Sequence, residues 1–124
     1  DSSYLWEQSM KFEMLTSRYA VAPQIDPHDV SALAEHGFVH IICNRPDGEE
    51  SGQPIALDID AACRKVGIGF DYIPVTAAPF ARSDIESHRQ IIVASPGPVL
   101  AYCRTGRRSR ARFEAGESSY ADES

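Results

Sequence analysis

The chain has 124 residues, enough for one modest core and no second one. Its hydrophobic share of 43% is ordinary for a globular chain and too high for a disordered one, and no apolar run approaches the ~20 residues that cross a bilayer. A formal net charge of −6 argues against a general nucleic-acid binder, because neutralising phosphates needs a basic surface, and three cysteines do not make a disulfide scaffold. With no basic-then-apolar leader at the N-terminus, a reducing cytoplasm is the simplest expected location.

Residues 1–10 fit no element and read as a remnant or extension outside the fold, which leaves 11–124 as a single domain. Residues 12–25 read as one or two short strands. Asp26-Pro27 opens a helix as N-cap and first helical residue, Val30, Leu33 and Ala34 face inward, and Gly37 ends it. Residues 38–43 form an almost unbroken apolar run, as expected of a strand buried on both faces of a parallel sheet. Residues 44–54 are polar and rich in glycine and proline, hence a loop. A helix is predicted over 55–66, with Ile55, Ile59, Ala62, Cys63 and Val66 on one stripe and Gly67 as its stop. Residues 70–75 are the next strand and 76–82 a second loop. Ser83-Asp84-Ile85-Glu86 has the form of a capping box, opening a helix to about Ala94. Pro96-Gly97-Pro98 then breaks the chain before a last strand at 99–103. Alternating strands and helices define an α/β domain with a mostly parallel central sheet flanked by helices.

In open α/β sheets, ligands bind beyond the carboxyl ends of the strands. There the last strand delivers Cys103, and five of the twelve basic residues (Arg104, Arg107, Arg108, Arg110, Arg112) fall within the next nine positions. A tight turn from strand into helix points backbone N–H groups at one spot and makes an anion nest from Arg104, Thr105, Gly106, Arg107 and Ser109. Gly106 lets the backbone take a positive φ, and Arg108 offers a planar guanidinium fork to an oxyanion. The same positive field lowers the thiol pKa and generates a thiolate nucleophile at Cys103. No histidine spacing fits a metal site, and no cofactor is implied.

Gly37-Phe38 through Cys43, then Asn44-Arg45-Pro46-Asp47-Gly48-Glu49-Glu50, Gly52-Gln53-Pro54, and finally Pro96-Gly97-Pro98-Val99-Leu100-Ala101-Tyr102-Cys103-Arg104-Thr105-Gly106 carry a resemblance. Over about residues 14–109 the chain resembles the phosphatase-like domain of the beta-lactamase-hydrolase-like protein family. The resemblance implies a fold like the tyrosine and dual-specificity phosphatases. Members occur alone or fused to a metallo-β-lactamase-like domain and are associated with bacterial sulfide and persulfide metabolism; the 124 residues carry no histidine-rich motif of that second domain. Carried over by position, Cys103 is the nucleophile, the 104–108 backbone the oxyanion cradle and Arg108 the anion clamp. The 44–50 loop leaves the same sheet edge, so it could roof the cysteine and bring Arg45 and Asp47 to the anion. Asp47 is the first candidate for a general acid, with Glu49, Glu50 and Asp84 behind it, although Pro-Asp-Gly is equally a turn sequence. Tyr102 stands where many phosphatases have a histidine. After Ser109 the family's apolar helix is replaced by Arg110 to Gly116 and a polar tail. The domain end is therefore expected to be irregular from about 116, or completed by a second copy or a partner domain.

Three readings follow. The first is a phosphatase-like hydrolase acting on a small anionic phosphate ester. The second is a rhodanese-like sulfurtransferase forming a Cys103 persulfide. Four residues separate Cys103 from Arg108, as in rhodaneses and one fewer than in tyrosine phosphatases, which favours the smaller sulfur-sized cradle. The third is an anion- or redox-sensing module without catalysis, in which Cys43, at the end of a neighbouring strand, could form a reversible disulfide with Cys103.

Overall fold

A computed structural model describes residues 12–75 and 80–123, with the side chains of the last helix described as far as Glu117. The expectation for residues 1–10 lies outside the described residues. Among the described residues, no helix is long and apolar enough to cross a membrane.

The chain begins with an antiparallel pair, β1 (Glu13–Thr16) and β2 (Tyr19–Ala22). A 3-10 turn, Pro27–Asp29, leads into α1 (Val30–Glu35), and the Asp29 carboxylate accepts the Asp26 N–H at 2.9 Å as the entry predicted for this helix requires. Then follow β3 (His40–Cys43), α2 (Ala56–Val66), β4 (Gly69–Tyr72), α3 (Arg82–Ala94), β5 (Val99–Tyr102) and α4 (Arg107–Glu123). The sheet order is β1-β2-β5-β3-β4, with β2, β5, β3 and β4 all parallel. The expected α/β architecture is therefore present, with the last strand at its centre.

That central place explains the composition of β5. Val99, Leu100, Ala101 and Tyr102 are all buried, because helices cover both faces of a parallel sheet. On one face α1 and α2 bury Val30, Leu33, Ile59 and Cys63 against Ile41, Leu100 and Tyr102. On the other, Tyr19, Val21, Ile42, Val99 and Ala101 meet Ile91 and Ile92 of α3 and Phe113 of α4. Burial of this kind, at roughly 25 cal/mol per Å² of apolar surface, is the main force holding the layers together.

Three local expectations are corrected. The α2 stripe is narrower than predicted: Ala56, Ile59 and Cys63 are buried, but Ile55 and Val66, at the two ends, are exposed. Helix α3 starts at Arg82, its first amides bonding to the Ala81 carbonyl at 3.1 Å, so Ser83 lies inside the helix and does not cap it. Helix α4 is continuous to Glu123 and not irregular from about 116. Its Arg110 reaches Glu13 on β1 at 2.6 Å, and Phe113 stacks on Tyr19 with centroids 4.4 Å apart, so the polar segment still has partners on the sheet. His88, on α3, is buried.

Candidate active site

Because β2, β5 and β3 run parallel side by side, their carboxyl ends deliver three loops to one edge. The middle one is the cysteine loop. The Cys103 N–H donates to the Ala22 carbonyl and the Gln24 N–H to the Arg104 carbonyl, both at 3.3 Å, which ties the loop to the exit of β2. Gly106 has φ +94°, a left-handed conformation costing roughly 1–2 kcal/mol for a residue with a Cβ. It turns the chain into α4, whose opening bond runs from the Arg110 N–H to the Gly106 carbonyl at 3.0 Å. The turn leaves the early amides of α4 pointing back at the sulfur, and the Gly106 N–H reaches Cys103 Sγ at 3.0 Å.

These amides set the protonation of the thiol. Burial pushes the Cys103 pKa up, but the backbone N–H groups of Ser109, Thr105, Arg108 and Gly106 outweigh it and hold the thiol below its ordinary value. Burial wins at the other two cysteines. It raises the Cys43 thiol, and pushes that of Cys63, a buried residue of α2 beside Asp60, up to about 12. All three thiols are buried, but Cys43 and Cys63 belong to the apolar core, whereas Cys103 has four backbone N–H groups to stabilise its anion.

Arg108 does reach the loop's mouth. Its Nη1 and Nη2 donate to the two carboxylate oxygens of Glu49 at 2.7 and 2.8 Å, and Nη1 also donates to the Val75 carbonyl at 2.9 Å. Glu49 comes first among the influences holding this guanidinium charged, and the Cys103 sulfur adds to it. The fork expected to hold a substrate anion is thus closed on an anion of the protein itself. In return Arg108, more than Arg45, holds the Glu49 carboxyl below the usual carboxylate range.

The loop from β3 supplies that carboxylate. Arg45 is almost fully buried and each of its three nitrogens is engaged, to Glu49 (3.1 Å), Gln24 (3.0 Å) and Glu50 (2.8 Å). Glu50 also pairs with Arg104 at 2.7 Å. The Gln53 side chain accepts the N–H groups of Glu49 and Glu50 and donates to the Pro46 carbonyl. The 44–50 loop thus meets the cysteine loop through two ion pairs, Glu49 with Arg108 and Glu50 with Arg104. Arg45 is corrected from an anion ligand to the buried hub that shapes the roof, since none of its nitrogens is left over for a substrate.

Asp47 is corrected too. Its Oδ1 accepts the Ala56 N–H at 2.8 Å and its own N–H donates to the Tyr72 hydroxyl at 3.0 Å, so it caps α2 from a distance. Asp84 is in the first turn of α3 and acts on Arg112. Cys43 is not a redox partner in this arrangement. Register pairs it with Tyr102, on the α1–α2 face, its Sγ donates to the Arg45 carbonyl at 3.2 Å, and all three cysteines are free. Thr105, Arg104 and Arg107 are exposed around the cradle, whereas Ser109 is buried beneath it. Asp26, His28 and Asp29 bring their ligand atoms within 4.8 Å of one another at the turn before α1, a grouping that spacing alone did not show.

A thiol with a lowered pKa, ringed by amides at the end of a central parallel strand and faced by an arginine, defines a tyrosine-phosphatase-like, cysteine-loop domain. Comparison with known proteins agrees. The chain belongs to the family described as "Beta-lactamase hydrolase-like protein, phosphatase-like domain", which matches residues 11–119. It is 34% identical over 109 residues to the beta-lactamase hydrolase-like protein of Agrobacterium fabrum; the match takes in 88% of this chain but 25% of that protein, so the chain spans about a quarter of that relative's length. A candidate phosphatase of Neisseria meningitidis, known as a crystal structure, is 40% identical, with a TM-score of 0.73 over 81% of this chain and 71% of that one. The active form of Tk-PTP shares the fold, with a TM-score of 0.57 at 23% identity over 77% of this chain and 63% of that one.

Proposed function

We propose that this domain is a cysteine-dependent phosphatase-like hydrolase of small phosphate esters, with Cys103 as nucleophile. The observation that carries the reading is the Cys103 sulfur at 3.0 Å from the Gly106 N–H, with further loop amides holding its pKa down. An entering phosphate takes the Arg108 fork from Glu49 and lays its remaining oxygens on the loop amides. The Cys103 thiolate attacks phosphorus, an S–P bond forms, and the P–O bond to the leaving group breaks. Water then attacks phosphorus; the S–P electron pair returns to sulfur, and inorganic phosphate leaves.

The leaving oxygen needs a proton, and the candidate acids of the roof are all engaged within the protein, Glu50 with Arg45 and Arg104. Asp47 is committed to the Ala56 N–H, and Glu49 is held ionised chiefly by Arg108. Protonation by solvent follows, so aryl phosphates, whose leaving groups are stable anions, react much faster than alkyl phosphates. Sulfur transfer is the second reading, favoured by the four residues between Cys103 and Arg108 and needing no acid.

One paired assay separates the readings: an aryl phosphate, and thiosulfate with cyanide, each with wild type and Cys103→Ser. Phosphate release that the substitution abolishes without lowering the melting temperature is the expected result. Thiocyanate formation without phosphate release replaces the hydrolase by the transferase, and neither product from folded protein removes both.

A further inference from the structure

Between α3 and α4, on the face of the sheet opposite α1 and α2, lies a cavity of about 190 Å³. Its walls are Ile85, Ile92, Val93 and Phe113; Arg89 and Glu117 also line it, as do two buried ionisable side chains, Arg112 and His88. Both are 2% exposed, and both carry unpartnered atoms. Arg112 Nε and Nη1 are buried with no hydrogen-bond partner among the described residues; the guanidinium lies over the Phe80 ring, 4.9 Å from its centroid, and Asp84 favours its charge through space. Buried arginines are ordinarily paired, so two unmet donors on a side chain that lines this cavity mark a missing acceptor.

His88 is unmet in the opposite sense. Its Nε2 lies 3.0 Å from the Tyr19 hydroxyl, which gives its own proton to the Ser109 carbonyl at 3.0 Å. Nε2 must therefore be the protonated nitrogen, and Nδ1, buried and without a partner, is a bare lone pair. Burial first, and Arg112 after it, keep this imidazole neutral. The cavity thus asks one guest for an acceptor at Arg112, a donor at His88 and an apolar body. Arg89 and Glu117, of opposite charge, offset one another, so Arg112 leaves room for a single negative charge.

We infer that this cavity binds a small organic monocarboxylate with an apolar body, and most completely a 2-hydroxy acid. The carboxylate pairs with Arg112, the hydroxyl donates to His88 Nδ1, and the body rests on Ile85, Ile92, Val93 and Phe113. The site is separate in chemistry from the cysteine loop, whose many N–H donors suit a phosphate.

The test is a titration of mandelate into isoleucine-methyl-labelled protein, with inorganic phosphate present throughout to occupy the cysteine loop. Saturable shifts of the Ile85 and Ile92 methyl resonances are expected, with phenylacetate, which lacks the hydroxyl, binding at least about five-fold more weakly. Arg112→Met abolishes the shifts while leaving the melting temperature equal or higher, because an unpartnered buried charge is gone. Should that variant not fold, Val93→Asp decides: Val93 is 67% exposed, and a carboxylate there weakens mandelate at least about ten-fold. A cavity holding water alone gives no saturable shift and overturns the proposal, as do shifts that survive Val93→Asp unchanged. Equal binding of phenylacetate overturns the part assigned to His88.

Discussion

In the proposed reaction, the Arg108–Glu49 pair decides how an anion enters the cysteine loop. Glu49 holds both ends of the guanidinium at 2.7–2.8 Å, so a phosphate gains Arg108 only by displacing it. Glu49→Gln keeps the side-chain shape and removes the competing charge. Inorganic phosphate is expected to inhibit this variant a few-fold more tightly, since a partly exposed ion pair contributes about 1 kcal/mol or less; unchanged inhibition would mean that Glu49 does not compete. The pair also sets a pH dependence. Arg108 depresses the folded-state Glu49 pKa, so its contribution to stability is fully present above the unfolded carboxylate pKa and is lost as pH falls through the depressed value. The melting-temperature gap between wild type and Glu49→Gln should accordingly close below about pH 4. A gap that stays constant on acidification would contradict this assignment.

Elements are held in place by side chains that the sequence presents as candidates for chemistry. The Asp47 carboxylate satisfies the first amide of α2, a service usually performed by the residue directly before a helix. Asp47→Ala is expected to cost about 1 kcal/mol in denaturant unfolding and to leave kcat/KM for an aryl phosphate within a few-fold. Loss of a general acid would instead cost 10²-fold or more, in the range of ~10²–10⁴. Helix α3 has its own signature through His88. Burial lowers its pKa from 6.5 to about 3, so between those values the unfolded chain binds the extra proton and the folded one does not. Stability therefore falls as pH falls through that window. His88→Gln, which keeps an N–H toward the Tyr19 hydroxyl, should flatten the slope of unfolding free energy between pH 6.5 and 5, and an unaltered slope would place the titration elsewhere.

At the scale of the whole molecule, β5 joins the two hydrophobic layers and leads into Cys103, the proposed nucleophile. Leu100 points to the α1–α2 layer, while Val99 and Ala101 serve the α3–α4 layer. Leu100→Ala is expected to cost about 2–5 kcal/mol, lowering the denaturant midpoint without changing its slope. Turnover by the fraction still folded should be preserved, because the cysteine loop is anchored on β2 through Ala22 and Gln24 as well as on β5. Unfolding in two steps would show that the layers are separate cooperative units.

Much of this architecture was legible in the linear chain. The apolar runs of β3 and β5, the periodicity of α2 and the Gly106 turn after Cys103 are local patterns, written at periods of two or 3.6 residues or at a single backbone conformation. The cysteine, its cradle and Arg108 are therefore consecutive in sequence and adjacent in space for the same reason. What meets that loop is another matter. Glu49 and Arg108 lie 59 positions apart, and their pairing depends on β3 lying beside β5. The strand register that puts Cys43 opposite Tyr102 sends its thiol to the other layer, and Asp47 faces Ala56 only because the roof folds back onto α2. In the sequence Arg112 is one more member of the basic run after Cys103; only the packing of α4 against α3 buries it. Short-range chemistry belonged to the sequence alone, whereas the pairing of distant charges was decided by crossovers and register, which no local period encodes.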